Sequence, residues 1–174
     1  MKISTPLLAA AEEALGRVLT MTQPADAVLS GYFRAHRELG QHDRAFIAET
    51  VFAVLRRRYG LEHHTGAATP RRLLLAWLNR VHGMSLRQLE PLLGRDDALW
   101  AAELKGSSVP PSDGVPPLHV AAELPQWLVA MLAAEMPEGE ILALGRALAQ
   151  PAPLDLRVNA LLTTREKVLR QLII

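Results

Sequence analysis

The sequence predicts an all-α fold: a helical bundle over residues 1–149, followed over residues 150–174 by the start of a small α/β subdomain with one strand and one helix. Apolar residues recur at helical spacing through most of the first 149 residues. Serine, threonine or proline precedes several of these stretches and glycine follows several, as is typical of helix ends. Pro151 and Pro153 then interrupt the helical pattern. We therefore expect two structural units of unequal size.

Three amphipathic helices are predicted before residue 60. The first has Thr5 as its N-cap and Pro6 at its first helical position. The second begins at Pro24 and stops at Gly40, a residue suited to the left-handed conformation that follows a helix. The third is capped by Asp43 and runs through the triple arginine at residues 56–58. Their apolar stripes comprise Leu7, Leu8, Ala11, Leu15, Val18 and Leu19; Ala25, Val28, Leu29, Tyr32, Phe33, His36 and Leu39; and Phe46, Ile47, Val51, Val54 and Leu55.

Further helices are predicted between residues 69 and 149. Thr69 with Pro70, and then Ser85, give two more N-terminal caps. Residues 106–117 are rich in proline, glycine and serine, which indicates an irregular connection. The predicted helices occupy residues 69–83, 85–93, 97–104, 125–132 and 141–148.

A strand and a last helix are predicted after residue 150. Residues 154–159 alternate between apolar and polar side chains, as in a half-buried strand. Thr163 with Glu166 forms a capping box before a final amphipathic helix. Because one strand is not stable alone, we expect the chain to stop within a second domain. The oligomeric state stays open, since the unpaired strand can associate with a second copy.

The composition excludes several classes of chemistry. The chain has no cysteine, which removes disulfides, thiolate metal sites and cysteine nucleophiles. The longest apolar run, residues 127–134, is far shorter than the ~20 residues of a membrane-spanning helix. No glycine-rich nucleotide loop, zinc-protease motif or serine-hydrolase motif is present. We expect a cytoplasmic protein without membrane or metal partners and without catalytic residues in these 174 positions.

Three histidines are possible ligands or catalysts, but a structural interpretation suits them better. His63 and His64 are adjacent in what the pattern indicates is a loop after the third helix. Two adjacent side chains rarely converge on one metal ion without a third ligand, so we interpret them as solvated. His36 lies on an apolar helix face and is interpreted as a hydrogen-bonded core residue.

Basic charge is concentrated in the first half of the chain. Residues 1–83 hold 11 basic and 7 acidic side chains, whereas residues 84–174 hold 8 and 11. Helical geometry directs Arg34 and Arg56 away from the apolar stripes, so they are free to meet phosphate. Arg44 lies at the edge of its stripe and, with Asp43, is assigned a structural role. The predicted RNA-binding residues are Arg34, Arg37, Arg56, Arg57, Arg58, Arg71 and Arg72. A purely solvated helix face explains the charge equally well.

Three segments resemble the N-terminal region of the RsmB/Sun family, which are bacterial S-adenosylmethionine-dependent ribosomal RNA cytosine-5 methyltransferases. They are residues 25–58, with GQHDRAF and LRRR; residues 123–132; and residues 150–166, with PAPLDLRVN as the most specific part. The resemblance implies a NusB-like helical domain over residues 1–149 that binds ribosomal RNA. Residues 150–174 would then begin the α/β subdomain that precedes the catalytic domain.

The resemblance also limits the expected chemistry. The family's nucleophilic cysteine and its glycine-rich cofactor loop have no counterpart in this sequence. We therefore expect this segment to bind no cofactor, with S-adenosylmethionine serving the parent enzyme. Whether the segment has any enzymatic activity stays open.

Two alternatives from other classes remain. A stand-alone NusB-like transcription antitermination factor would bind RNA without catalysis, but it should end near Gln150, before the predicted strand. A helical protein-interaction module would carry its arginines only as a solvated face.

Overall fold

The computed structural model describes residues 3–66, 69–106, 115–150 and 155–172. Within these ranges it contains eleven α-helices, one 3₁₀ turn and no strand, so the predicted all-α class is confirmed. No helix in those ranges is long and apolar enough to cross a membrane. The helices are α1 (Thr5–Leu19), α2 (Ala25–Ala35), α3 (Gln41–Arg56), α4 (Arg58–Thr65), α5 (Pro70–Arg80), α6 (Leu86–Leu89), α7 (Arg95–Gly106), α8 (Leu118–Ala121), α9 (Gln126–Leu132), α10 (Glu138–Leu148) and α11 (Arg165–Leu172).

The main hydrophobic core forms around α1, which packs against α2, α3 and α5. The stripe predicted for α1 is buried from Leu7 to Val18. Helix α5 is buried over six consecutive residues, Leu73–Leu78, since α1, α3 and α4 all contact it. Because these helices share one contiguous core, burial of its apolar surface stabilises them as a unit.

The end of α2 and the start of α3 differ from the prediction. Helix α2 ends at Ala35, and Gly40 has φ −69° and is the N-cap of α3. Asp43, predicted as that cap, lies within the first turn, where its carboxylate accepts a hydrogen bond from the Gly40 N–H at 3.3 Å. The α2–α3 connection is fixed by Arg44, which donates to the carbonyl oxygens of Leu39 and His36. Arg44 thus stabilises a connection that follows the end of α2, a contact that helical periodicity alone does not reveal.

Two other predicted caps are displaced by one residue. The Ser4 hydroxyl, rather than Thr5, accepts the N–H of Leu7 at 3.4 Å. Thr164, rather than Thr163, accepts the N–H of Lys167 at 3.4 Å, so the predicted capping box at the last helix is wrong. In both cases two adjacent residues, Ser4 and Thr5 or Thr163 and Thr164, carry a hydroxyl that can accept a hydrogen bond from a backbone N–H. The caps at Thr69 and Ser85 lie where they are predicted.

The triple arginine does not end α3 in the predicted way. Helix α3 stops at Arg56, Arg57 lies between helices, and α4 starts at Arg58. His63 and His64 therefore lie on a helix, and the expectation that they occupy a loop is wrong. The backbone of Arg57 leaves the helical region, with φ −124° and ψ 24°, which turns the chain between α3 and α4.

A second, smaller core lies in the C-terminal part of the chain. Four buried residues form its centre, and α8, α9 and α10 surround them. Helix α8 was not predicted, because its four residues are too few to show a helical period. The α8–α10 contact is so close that a Cβ at Gly145 would overlap with the backbone of Ala122. The central residues are Ala122, Leu124, Val129 and Ile141.

Glu123 joins the second core to the first. Its backbone has φ +54°, in the left-handed region that side-chain-bearing residues rarely adopt. Its carboxylate accepts hydrogen bonds from the Gly60 N–H, at 3.2 Å to Oε1 and 3.1 Å to Oε2. Gly60 lies in the first turn of α4, where N–H groups have no partner within the helix. Glu123 is thus a cap for α4 supplied from 63 residues further along the chain.

The last described segment is not packed against the two cores. Residues 155–159 form neither helix nor paired strand in the described part of the chain, so the predicted strand is not confirmed; residue 154 lies outside that part. The final helix is predicted to be amphipathic, but its apolar residues Leu169 and Leu172 are 39% and 55% exposed. Helix α11 has no buried residue. Residues 107–114, most of the predicted irregular connection, also lie outside the described part.

Two glycines of α10 provide a matched test of the α8–α10 contact. Gly145→Ala places a methyl group against the Ala122 backbone, which cannot rotate away, and we expect a loss of about 1–3 kcal/mol in the free energy of unfolding. Gly139→Ala meets nothing within 4 Å, and we expect a gain of about 0.5–1 kcal/mol from helix propensity. Urea denaturation followed by circular dichroism measures both. Equal effects of the two substitutions would show that α8 and α10 do not pack in this way.

Substitution of Glu123 separates its roles as acceptor and as buried charge. Glu123→Ala leaves the first-turn amides of α4 without this acceptor, and we expect a loss of about 1 kcal/mol, the usual effect of a lost cap. Glu123→Gln keeps an acceptor oxygen but removes the charge. Burial raises the pKa of Glu123, more than its backbone hydrogen bonds to Gly60 and Tyr59 lower it.

Because the pKa of Glu123 is raised, the difference in stability between the wild type and Glu123→Gln should depend on pH. The folded wild-type chain holds the Glu123 proton more tightly than the unfolded chain. The wild type therefore gains stability relative to Glu123→Gln as the pH falls from 7 to 4, and loses it as the pH rises through the folded-state pKa. Urea denaturation across this range tests the sign. A stability difference that does not change with pH would contradict the burial of this carboxylate.

Candidate nucleic-acid interface

An open groove between α2 and α3 carries two of the candidate RNA-binding arginines together with Arg44. Arg34 and Arg37 come from the end of α2 and the residues after it, and Arg44 comes from α3. The groove has a volume of about 560 Å3. Its other lining residues are Asp26, Leu29, Ser30, Phe33, Ala48 and Phe52. The site therefore combines cationic side chains with two half-buried phenyl rings.

Arg44 is held in place by the protein. Its Nε donates to the carbonyl oxygen of Leu39 at 2.9 Å, and one terminal nitrogen donates to that of His36 at 3.4 Å. Its guanidinium lies 5.8 Å from the ring centroid of Phe33, within the range of a cation–π contact. Arg44 thus fixes the loop that carries Arg37 and adds positive charge to the lining of the groove.

Arg34 and Arg37 are exposed at the rim of the groove. Arg34 donates to the hydroxyl of Ser30 at 2.9 Å, one helical turn earlier, which orients its guanidinium along α2. Neither arginine forms an ion pair with a carboxylate of the described residues. Most of their N–H groups therefore face solvent and are available to donate hydrogen bonds to phosphate oxygens.

The triple arginine is divided among three environments. Arg56 is half-buried at the end of α3 and does not line the groove. Arg57 lines a different pocket, at the start of α4. Arg58 forms an ion pair with Glu62, four residues later on the same helix. Adjacent residues on a helix point in directions about 100° apart, so such a run seldom forms one patch.

Arg71 and Arg72 lie at the start of α5, away from the lining of the groove. Arg71 donates two hydrogen bonds to Oδ2 of Asp97, at 3.0 and 2.8 Å, and a third to Glu12 at 3.2 Å. It therefore links α1, α5 and α7. Arg72 is exposed and places its guanidinium 5.4 Å from the ring centroid of Trp100.

The seven predicted RNA-binding arginines thus do not form one continuous set of contacts. The structure brings Arg34 and Arg37 together with Arg44, which sequence analysis assigns to structure alone. Phe33 was placed only in the apolar stripe of the second helix, and Phe52 was not singled out; the structure places both in the lining of the groove. Among the described residues, no group of three or more His, Asp or Glu side chains is arranged to hold a metal ion.

His36 has the surroundings of a structural residue. Its Nδ1 is 2.9 Å from Oε1 of Glu38, and its ring centroid is 4.2 Å from that of Tyr32. Tyr32 is buried and donates to the carbonyl oxygen of Ala10 at 3.1 Å. Burial and the neighbouring Glu13 raise the pKa of Tyr32 to about 12, so it stays a neutral hydrogen-bond donor.

Comparison with known proteins relates the C-terminal part of the chain to a methyltransferase family. Residues 124–173 match the RsmF/B-like methyltransferase ferredoxin-like domain. This range contains α9, α10 and α11 and includes the PAPLDLRVN segment. The match supports the resemblance to RsmB/Sun-like methyltransferases, but it does not extend to the helices that carry the arginine groove. No curated protein and no solved structure matches the chain.

Arg44 and Arg37 are a matched pair for testing the structural role of Arg44. We expect Arg44→Met to lower the free energy of unfolding by about 1–2 kcal/mol, because two backbone carbonyls lose a charged donor. Arg37→Met removes an exposed arginine and should change it by less than about 0.5 kcal/mol. Urea denaturation measures both values. If the two substitutions lower the free energy of unfolding by similarly small amounts, Arg44 does not have a structural role.

Proposed function

We propose that this chain is the RNA-recognition part of a ribosomal RNA cytosine-5 methyltransferase. The observation that carries the proposal is the match of residues 124–173 to the RsmF/B-like ferredoxin-like domain, together with the arginine groove on the helices before it. In this proposal the NusB-like helical region docks structured ribosomal RNA. A domain with the catalytic residues transfers the methyl group.

The residues of this chain do not fit the methyl-transfer chemistry itself. Attack on C6 of cytosine needs a thiolate, and the sequence contains no cysteine. Within the described residues there is also no strand followed by a glycine-rich loop, the usual cradle of a nucleotide-like cofactor. We therefore assign S-adenosylmethionine to the parent enzyme and derive no catalytic step from these residues.

The groove between α2 and α3 is the part of the helical region best suited to RNA. Arg34 and Arg37 offer exposed donors for phosphate oxygens, and Arg44 adds a fixed positive charge. The phenyl rings of Phe33 and Phe52 provide an apolar floor on which an unpaired base can stack. Asp26 at one end of the groove restricts the path of a polyanion to the opposite end.

The alternatives are distinguished by two observations. The match at residues 124–173 favours a methyltransferase over a stand-alone antitermination factor. The protein-interaction module is favoured by α9, on which Trp127 and Met131 are 65% and 64% exposed and lie one turn apart. In the proposed function, this apolar face and the arginine groove serve different partners.

A salt titration of RNA binding tests the proposal. The 174-residue chain should bind a ribosomal RNA hairpin in a fluorescence anisotropy assay at low salt. The double variant Arg34→Gln/Arg37→Gln should bind more weakly, and its plot of log K against log salt should be flatter by about 1.4, at ~0.7 for each lost phosphate contact. The matched control Arg87→Gln/Arg146→Gln removes two exposed arginines outside the groove. Equal weakening by both double variants would assign binding to net charge, and absence of binding at low salt would reject the proposal.

A further inference from the structure

A cleft separate from the arginine groove lies between α3 and the segment that follows α5. Its volume is about 930 Å3, within the range of small-ligand sites, roughly 300–1,000 Å3. Much of the lining is apolar and includes Phe46 on one side and Met84 on the other. We call it the histidine cleft. Its polar lining residues are His42, Glu49, His82 and Gln88, all of which are exposed.

One wall of the histidine cleft is a single face of α3. His42, Ala45, Phe46 and Glu49 follow one another at spacings of three, one and three residues, which places them on the same side of the helix. Glu49 is exposed and forms no hydrogen bond or ion pair within the described part of the chain. Both of its carboxylate oxygens are therefore available to N–H donors of a ligand.

The opposite wall presents a fixed aromatic ring. His82 stacks on the indole of Trp77, with ring centroids 5.1 Å apart and an interplanar angle of 29°. Trp77 is buried, whereas His82 is exposed and has no second ring contact among the described residues. One face of the imidazole is thus held by the protein, and the other can accept a planar ring from the cleft.

Hydrogen bonds also fix the rest of this wall. The N–H of Met84 donates to the carbonyl oxygen of Leu78 at 2.9 Å, and its own carbonyl oxygen accepts from Asn79 at 2.8 Å. Oε1 of Gln88 accepts from the N–H of Ser85 at 2.8 Å and from its hydroxyl at 3.0 Å. The cap therefore uses the oxygen of the Gln88 amide and leaves its two N–H groups as donors.

The charge of the cleft does not suit an anionic group. No arginine or lysine of the described residues lines it, and Glu49 is its one carboxylate there. The lining instead combines an unpaired carboxylate, an amide donor and a stacked aromatic ring with an apolar surface. This set is typical of sites that bind a planar heteroaromatic ring and read the hydrogen-bonding groups on its edges.

We propose that the histidine cleft binds a guanine base. On the edge of guanine, N1–H lies beside an N–H of the 2-amino group, and both can be donated to the two oxygens of Glu49. The base stacks on His82, and the Gln88 amide donates to O6 or N7. Adenine, cytosine and uracil lack two adjacent N–H donors, so the carboxylate favours guanine over them.

The same base is offered by an unpaired guanine of ribosomal RNA and by a free guanine nucleotide. The RNA source rests on the proposed function, whereas binding of the base itself does not. The arginine groove is lined by other residues, so its phosphate contacts are a separate property of the chain.

Histidine side-chain NMR on the ¹⁵N-labelled 174-residue chain tests recognition of the base. The ribonucleoside 5′-monophosphates share ribose and phosphate, so differences among them report the base alone. Guanosine monophosphate should shift the imidazole resonances of His42 and His82 with saturation. Inosine monophosphate lacks only the 2-amino group and should bind about tenfold or more weakly, as expected for loss of a hydrogen bond to a charged acceptor. The adenosine, cytidine and uridine monophosphates should also bind more weakly than guanosine monophosphate.

His119 is the internal reference, since its ring lies against Tyr59 in another part of the fold. Absence of saturable shifts at His42 and His82 would overturn the proposal. Equal affinity for all the nucleotides, or an equal shift at His119, would do the same.

Two RNA hairpins identify the source of the base. They differ only in one unpaired position, which holds guanine in the first and inosine in the second. Saturable shifts at His42 and His82 that are stronger with the guanine hairpin assign the site to RNA, and shifts with guanosine monophosphate alone assign it to the free nucleotide. If neither hairpin binds, the proposed function fails while the nucleotide result still decides the cleft.

A pair of glutamate variants supplies an independent readout. Glu49→Gln should weaken binding of guanosine monophosphate by about tenfold or more, because the amide replaces one of the two acceptor oxygens with a donor. It should also abolish the preference for guanosine over adenosine monophosphate, since glutamine can pair with adenine. Glu140→Gln, at an exposed glutamate on α10, is the matched control and should leave both affinities unchanged. Circular dichroism confirms that each variant is folded. An unchanged preference in Glu49→Gln would contradict the assignment.

Discussion

The contact between the Glu123 carboxylate and the first turn of α4 determines how the two parts of this protein are joined. The carboxylate occupies a partly buried position, and its two oxygens accept from the Gly60 N–H. The contact satisfies a donor that a helix cannot satisfy itself, and it places a negative charge at the positive end of the helix dipole. Through it, the small core around α8–α10 is fixed against the larger core around α1.

The arginines divide between structure and surface according to what lies next to each of them. Arg44 donates to carbonyls at the α2–α3 connection, and Arg71 bonds to two carboxylates on different helices. Both are fixed by protein contacts and stabilise helix packing. Arg34 and Arg37 are exposed, and their charge is available to a partner. The excess of positive charge in the first half of the sequence therefore overstates the charge that is available for binding.

Local sequence patterns were sufficient for most of the fold and insufficient for the site. The α1 stripe and the caps at Thr69 and Ser85 follow from interactions within a few residues, which periodicity and capping rules describe. The α2–α3 connection is held by Arg44, and the start of α4 is capped by Glu123 from 63 residues further along the chain; periodicity and capping rules describe neither contact. For the same reason, the groove between α2 and α3 combines residues whose proximity appears only after packing. The division of the chain at residue 149 stays a prediction, as does the NusB-like character of the helices before it.

The close approach of Glu123 to Gly60 also restricts how this sequence can change. A Cβ at position 60 would overlap with the Glu123 carboxylate, and position 123 holds a side-chain-bearing residue at φ +54°. A side chain at position 60 would displace the Glu123 carboxylate from this contact, and glycine at position 123 would relieve the backbone but abandon the contact. Among homologues that keep this junction, the two positions are expected to vary together. Such covariation would identify the sequences that keep this contact, even where their overall similarity is too low for a reliable alignment.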